Sequence, residues 1–236
     1  MQSTLGEFKE TESQEAFALQ NSKLLKVSLQ QITIQAKRGA MVAYQGDVKF
    51  EHAGSGGVGR LMKKAMTGEG TSLMKIEGTG EVFLADQAQD IHLIKLENDQ
   101  ITCNGANLLA FDAGIDWDIK REKGVGALAG GLFNMALSGT GWVAVVSDGP
   151  PVLLQTGDAA TYADPSAAIT WASSVQTSMK TDVNLKTLVG RGSGESIQMA
   201  FSGPGWVLVQ PSEGRVYAAA SGGGSSASGL LSNLGG

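Results

Sequence analysis

Few side chains in this sequence could perform acid–base, nucleophilic or metal chemistry. The chain holds two histidines, His52 and His92, and one cysteine, Cys103. A centre with two histidines and one carboxylate would require both imidazoles to converge, and a nucleophilic thiol would require a base beside it. A sequence repeat places His92 at an ordinary strand position, while His52 follows the end of a strand. We therefore predict no catalytic residues and no metal site.

Three aspartates, Asp112, Asp116 and Asp118, cluster around Trp117. They lack the glycine and the terminal glutamate of a calcium-binding loop, and basic residues follow them directly. This pattern predicts a solvated, partly charge-paired connection.

The segment 54–59 satisfies the Gly-x-Gly-x-x-Gly pattern of a dinucleotide site. That function needs a parallel βαβ unit, so that a helix N-terminus faces the pyrophosphate. The flanking segments look antiparallel, and no Gly-Lys-Ser/Thr ending is present. No cofactor is predicted.

Composition favours a compact soluble domain. Of 236 residues, 42% are hydrophobic and 17% charged, and the net charge is −5, which gives no electrostatic drive toward nucleic acid. No apolar run approaches the ~18 residues of a membrane span. The first residues carry acidic side chains instead of the basic ones of a targeting peptide. These features predict a cytoplasmic protein.

Two internal repeats indicate the fold. Residues 34–51 match residues 101–118, and more loosely residues 164–171 match 104–111. A second motif, apolar alternation around Gly-x-Gly, recurs at 74–84, 135–145 and 199–209. Alternation with period two is typical of half-buried strands. The glycines permit a bulge or a positive φ where a strand bends, and we predict a structural role for six of them: Gly78, Gly80, Gly139, Gly141, Gly203 and Gly205.

The order of the repeats predicts closure. The chain begins with a half-unit (24–51), continues through two complete units and ends with the complementary half-unit (196–219). If the ends pair, three units close and no sheet edge is exposed. The expected fold is all-β, a double-stranded β-helix or barrel of three pseudo-repeats with few short helical turns. We predict that residues 1–220 form one domain and that residues 221–236 form a flexible Gly/Ser-rich tail.

One basic amphipathic stretch is a candidate contact with a partner or a membrane surface. It comprises Arg60, Leu61, Met62, Lys63 and Lys64. Packing against the barrel or plain disorder is the alternative interpretation.

The segment Phe17-Ala-Leu-Gln, the Gly-x-Gly-Trp-Val strands, the Leu-Leu-Ala-Phe motif and the glycine-rich insert before Ser72 resemble the altered-inheritance-of-mitochondria family over residues 5–219. The resemblance implies a fold similar to the tryptophan RNA-binding attenuation protein. It brings no catalytic residues to carry over. Eukaryotic relatives bear on mitochondrial organisation, whereas this chain looks like a bacterial member.

The sequence thus predicts a non-enzymatic binding or scaffold protein that acts through an unknown protein partner, as a monomer or small homo-oligomer. A barrel that binds a small ligand is the alternative, and RNA binding is a third, less favoured hypothesis.

Overall fold

A computed structural model describes residues 3–30, 32–52, 72–121, 133–181 and 197–213. The predicted all-β class is confirmed. Within these ranges the strands are β1 (Phe17–Asn21), β2 (Leu24–Ser28), β3 (Ile34–Lys37), β4 (Met41–His52), β5 (Leu73–Leu84), β6 (Asp90–Asn104), β7 (Leu108–Asp112), β8 (Asp116–Arg121), β9 (Phe133–Ser147), β10 (Val152–Thr156), β11 (Thr161–Ala163), β12 (Ala168–Ala172), β13 (Gln176–Thr181), β14 (Ile197–Ser202) and β15 (Gly205–Val209). Two 3₁₀ turns, Leu5–Phe8 and Gly105–Asn107, are the helical elements of the described ranges.

The strands form two antiparallel sheets. Ten strands of a twelve-stranded sheet follow the order β1-β2-β5-β3-β7-β9-β6-β12-β15-β10, with β4 paired to β5 and β8 paired to β9. A three-stranded sheet has the order β11-β14-β13. The long strands β5 and β9 each pair with several partners along their length, so they are the scaffold on which the shorter strands are arranged.

Corresponding positions of the sequence repeats have corresponding ladder partners. Three such pairs are Ile34 with Ile76, Ile101 with Leu137, and Thr161 with Phe201. The register also shifts at one common position, since a bulge falls at Val42 in β4, at Leu109 in β7 and at Ile169 in β12. A bulge adds one residue to one strand of a pair and increases the local twist.

The predicted closure of the two ends is wrong. Strands β2, β3 and β4 pair with β1, β5 and β7, whereas β14 and β15 pair with β10, β11, β12 and β13. In the described part of the chain no ladder joins these two groups, and no barrel closes. Each terminal half-unit pairs with strands that lie closer to it in sequence than the opposite end of the chain does. Such pairings cost less chain entropy than joining the two ends.

The core consists of three neighbouring clusters of buried apolar side chains. The first surrounds Leu25 and Ile34, the second surrounds Phe111, and the third includes Trp171 and Phe201. The rings of Trp171 and Phe201 meet edge to face, with centroids 5.6 Å apart, a geometry that aromatic pairs prefer.

The six repeat glycines all have positive φ. At Gly80, with φ +149°, a Cβ atom would lie 2.0 Å from the carbonyl oxygen of Gln45. The close approach of β4 to β5 therefore depends on this glycine.

Candidate functional site

The basic stretch from Arg60 to Lys64 lies outside the described residues, as does the tail at 221–236.

Among the described side chains, those considered for chemistry are not brought together. Cys103 is fully buried, and burial raises the pKa of its thiol to about 12, so the thiol stays protonated and is a poor nucleophile. The Nε2 atom of His92 lies 2.7 Å from the hydroxyl oxygen of Ser147. Among the described residues no three His, Cys, Asp or Glu side chains are grouped to hold a metal ion.

His92 gives a pH dependence that can be measured. Burial lowers its pKa, although the charge of Asp90 opposes this shift. The unfolded chain therefore binds more protons than the fold at mildly acidic pH. The stabilisation by neutral His92 is present above its ordinary pKa, near 6.5, and is lost as the pH falls from there toward the folded pKa. We expect the free energy of unfolding to fall between about pH 7.5 and 5.5.

The control is His92→Gln, which should reduce this fall when urea unfolding is measured at both pH values. The difference between the two proteins in the pH dependence of the free energy of unfolding reports the contribution of the imidazole, because the other titrating groups are the same. Parallel pH profiles would show that His92 does not contribute.

The sequence suggested that Asp112 is a solvated residue, but in the structure its carboxylate is half-buried and hydrogen-bonded. Its carboxylate accepts a hydrogen bond from the backbone N–H of Trp142. Burial raises its pKa, and that hydrogen bond opposes the shift. A Cβ at Gly141 would lie 2.6 Å from Oδ2 of Asp112. Asp112 therefore joins β7 to the bend of β9 and has a structural role.

A prominent feature of the surface is the first part of β4, residues 41–45, which we call the open edge. This segment pairs with β5 on one side, and no described strand pairs with its other side. Met41, Val42 and Tyr44 are 36%, 58% and 49% exposed. The open edge thus combines an unpaired strand edge with large apolar side chains.

Corresponding residues in the other two repeats are buried. Val42 matches Leu109 and Ile169, which are both 0% exposed. Tyr44 matches Phe111 and Trp171, which are 0% and 2% exposed. Strands β7 and β12 are covered because each pairs on both sides. The exposure of the open edge therefore reflects a missing neighbour, since the residue types are similar.

Strand β11 is another of the described strands that are paired on one side only. Strand β11 pairs with β14, and no described strand lies on its other side. Tyr162 at its centre is 43% exposed, with the Nζ of Lys180 4.8 Å from its ring centroid. The matching strand β3 pairs on both sides, with β5 and β7.

An ion cluster borders the open edge. Lys26 is largely buried, and its Nζ lies 2.8 Å from Oε1 of Glu81 and 3.2 Å from Oε2 of Glu10. The hydrogen bond to Glu81 is the main cause that raises the pKa of Lys26, and burial opposes it. Glu10 also accepts a hydrogen bond from the side chain of Gln45. This cluster fixes the segment around Glu10 beside the open edge.

Such an arrangement is suited to binding, because an unpaired edge offers N–H and C=O groups to an added strand. Sequence reasoning missed Met41, Val42, Tyr44 and Tyr162 as surface residues. For Met41, Val42 and Tyr44 the sequence signal was that their repeat unit is incomplete at its N-terminal end.

These features define an antiparallel β protein in which β4 and β11, like some other described strands, are each paired on one side only. The chain belongs to a family described as mitochondrial biogenesis AIM24, whose model matches residues 17–212. The fold resembles the crystal structure of protein SPYM3_0169 from Streptococcus pyogenes, with a TM-score of 0.67 and 20% identity over 82% of this chain and 91% of that chain. No curated protein matches the chain. Among the described residues, no helix combines the length and hydropathy needed to cross a membrane.

Proposed function

We propose that this protein is a non-enzymatic binding or scaffold protein that acts through protein–protein contact at the open edge. One observation carries the proposal: Val42 is 58% exposed, whereas the matching Leu109 and Ile169 are 0% exposed. The sequence at this repeat position is suited to a covered strand, and contact with another protein would supply the cover.

The composition of the open edge supports this proposal. Soluble proteins usually protect edge strands with charged side chains or proline. Residues 41–45 read Met-Val-Ala-Tyr-Gln and contain neither. Burial of apolar area contributes roughly 25 cal/mol per Å², so covering Val42 and Tyr44 would stabilise a complex.

The repeat interpretation of the fold is part of the proposal. We interpret the chain as three copies of one strand unit, in a double-stranded β-helix related to that of the tryptophan RNA-binding attenuation protein. Matching ladder registers and matching bulges support this interpretation. The alternative with a ligand at a barrel mouth loses support because the sheet is not closed.

Site-specific photo-crosslinking tests the proposed surface. A photoreactive phenylalanine analogue replaces Val42 in the full chain, and the control places it at Leu153, which is 53% exposed on β10. After irradiation of cells that produce the protein, we expect a protein adduct of defined mass at position 42, at least ten times more abundant than at position 153. Equal labelling at both positions, or no adduct at position 42, would refute the proposal. Mass spectrometry of the adduct identifies the partner.

A further inference from the structure

We propose that the open edge of one chain binds strand β11 of a second copy of the same chain. The inference rests on the proposed function of the open edge and names its partner. Two observations carry it: both strand edges lack a described neighbour, and they correspond to edges that pair with each other elsewhere in the fold.

The ladder that joins one repeat to the next occurs twice. Strand β3 pairs with β7, and the end of β6 pairs with β12. In the first ladder the pairs are Ile34 with Asp112, Gln35 with Phe111, and Ala36 with Ala110. In the second ladder they are Ile101 with Ala172, Thr102 with Trp171, and Cys103 with Thr170. The two ladders use the same repeat positions.

A third ladder of this kind would join β11 to the open edge. By the same repeat positions its pairs are Thr161 with Gln45, Tyr162 with Tyr44, and Ala163 with Ala43. Among the described residues of one chain, neither of these edges has a strand paired to it. A second copy carries both missing edges in the register that the other two ladders use.

The facing side chains are compatible. Opposed aromatic residues and opposed polar residues each stabilise an antiparallel pair, and like charges would oppose it. Here Tyr162 faces Tyr44, Thr161 faces Gln45, and the two alanines allow close approach. None of these six residues carries a charge.

The contact is head-to-tail, because each chain offers one open edge and one β11 edge. Such contacts either close into a small ring, including a reciprocal pair, or extend into a filament. In a ring or a pair both edges of every chain are covered, and in a filament both edges are covered in every chain except the two at the ends.

Disulfide trapping between two variants tests the register. Full-length chains carrying Tyr44→Cys or Tyr162→Cys are mixed and mildly oxidised. Cys103 does not compete, because it is buried and its pKa is raised to about 12. We expect the mixed disulfide to form at least ten times faster than in a mixture of Tyr44→Cys with Leu153→Cys, which places an equally exposed thiol on β10.

Equal rates in the two mixtures would overturn the inference. A chain carrying both Tyr44→Cys and Tyr162→Cys that forms only an internal disulfide would also overturn it. If a different protein is crosslinked at position 42 and no mixed disulfide forms, the proposed function stands and this inference fails.

Sedimentation gives a second readout without oxidation. The unmodified chain should sediment at multiples of 24.4 kDa as its concentration rises, and Tyr162→Lys should sediment as a single chain. Leu153→Lys should behave like the unmodified protein. Self-association would be contradicted if the unmodified chain remains a single chain at all concentrations while circular dichroism shows an intact fold.

Discussion

Phe111→Ala is expected to lower the free energy of unfolding by about 3–5 kcal/mol, whereas Tyr44→Ala, at the matching repeat position, should lower it by about 1 kcal/mol. Phe111 is fully buried between two paired strands, so its removal leaves a cavity. Tyr44 is half exposed, and its ring meets the ring of Phe50 edge to face, with centroids 5.3 Å apart. The measurement is urea unfolding of dilute protein, where chains are separate.

The comparison tests whether the open edge lacks a neighbour in the isolated chain. Similar losses for the two substitutions would show that Tyr44 is as buried as Phe111, and the open edge would not exist in solution. The m-values should agree among the three proteins, so that the midpoints report stability.

Gly80→Ala is expected to destabilise the fold by more than about 4 kcal/mol, which is exceptional for one methyl group. Gly80 has φ +149°, and the added Cβ would lie 2.0 Å from the carbonyl oxygen of Gln45. Because that oxygen belongs to the backbone, the strand β4 would have to move away from β5 and lose ladder hydrogen bonds. The measurement is the urea midpoint, or the loss of soluble folded protein if the variant does not fold.

Gly139→Ala is the matched control. Gly139 also has positive φ, at +128°, but its Cβ would meet no atom closer than 3.9 Å. Only the backbone strain remains, which costs about 1–3 kcal/mol. Equal destabilisation by the two substitutions would show that the strain at positive φ, and not the close approach of β4, is the main effect.

Local sequence patterns predicted much of the fold. Apolar alternation with period two identified strands, because it depends only on which residues share one face of a strand. The repeated Gly-x-Gly motif marked positions of positive φ, which glycine tolerates. Neither signal needs knowledge of distant neighbours. The basic stretch at Arg60 to Lys64 remains a prediction, since it lies outside the described residues.

What the sequence by itself determined is the all-β class and the positions of the repeat glycines with positive φ. Only the tertiary structure decided which strand edges are covered. Val42 and Leu109 are both aliphatic and occupy the same bulge position, yet one is 58% exposed and the other 0%. Whether a side chain at this position is buried depends on whether a neighbouring strand covers it. That neighbour comes from pairing between segments far apart in the chain.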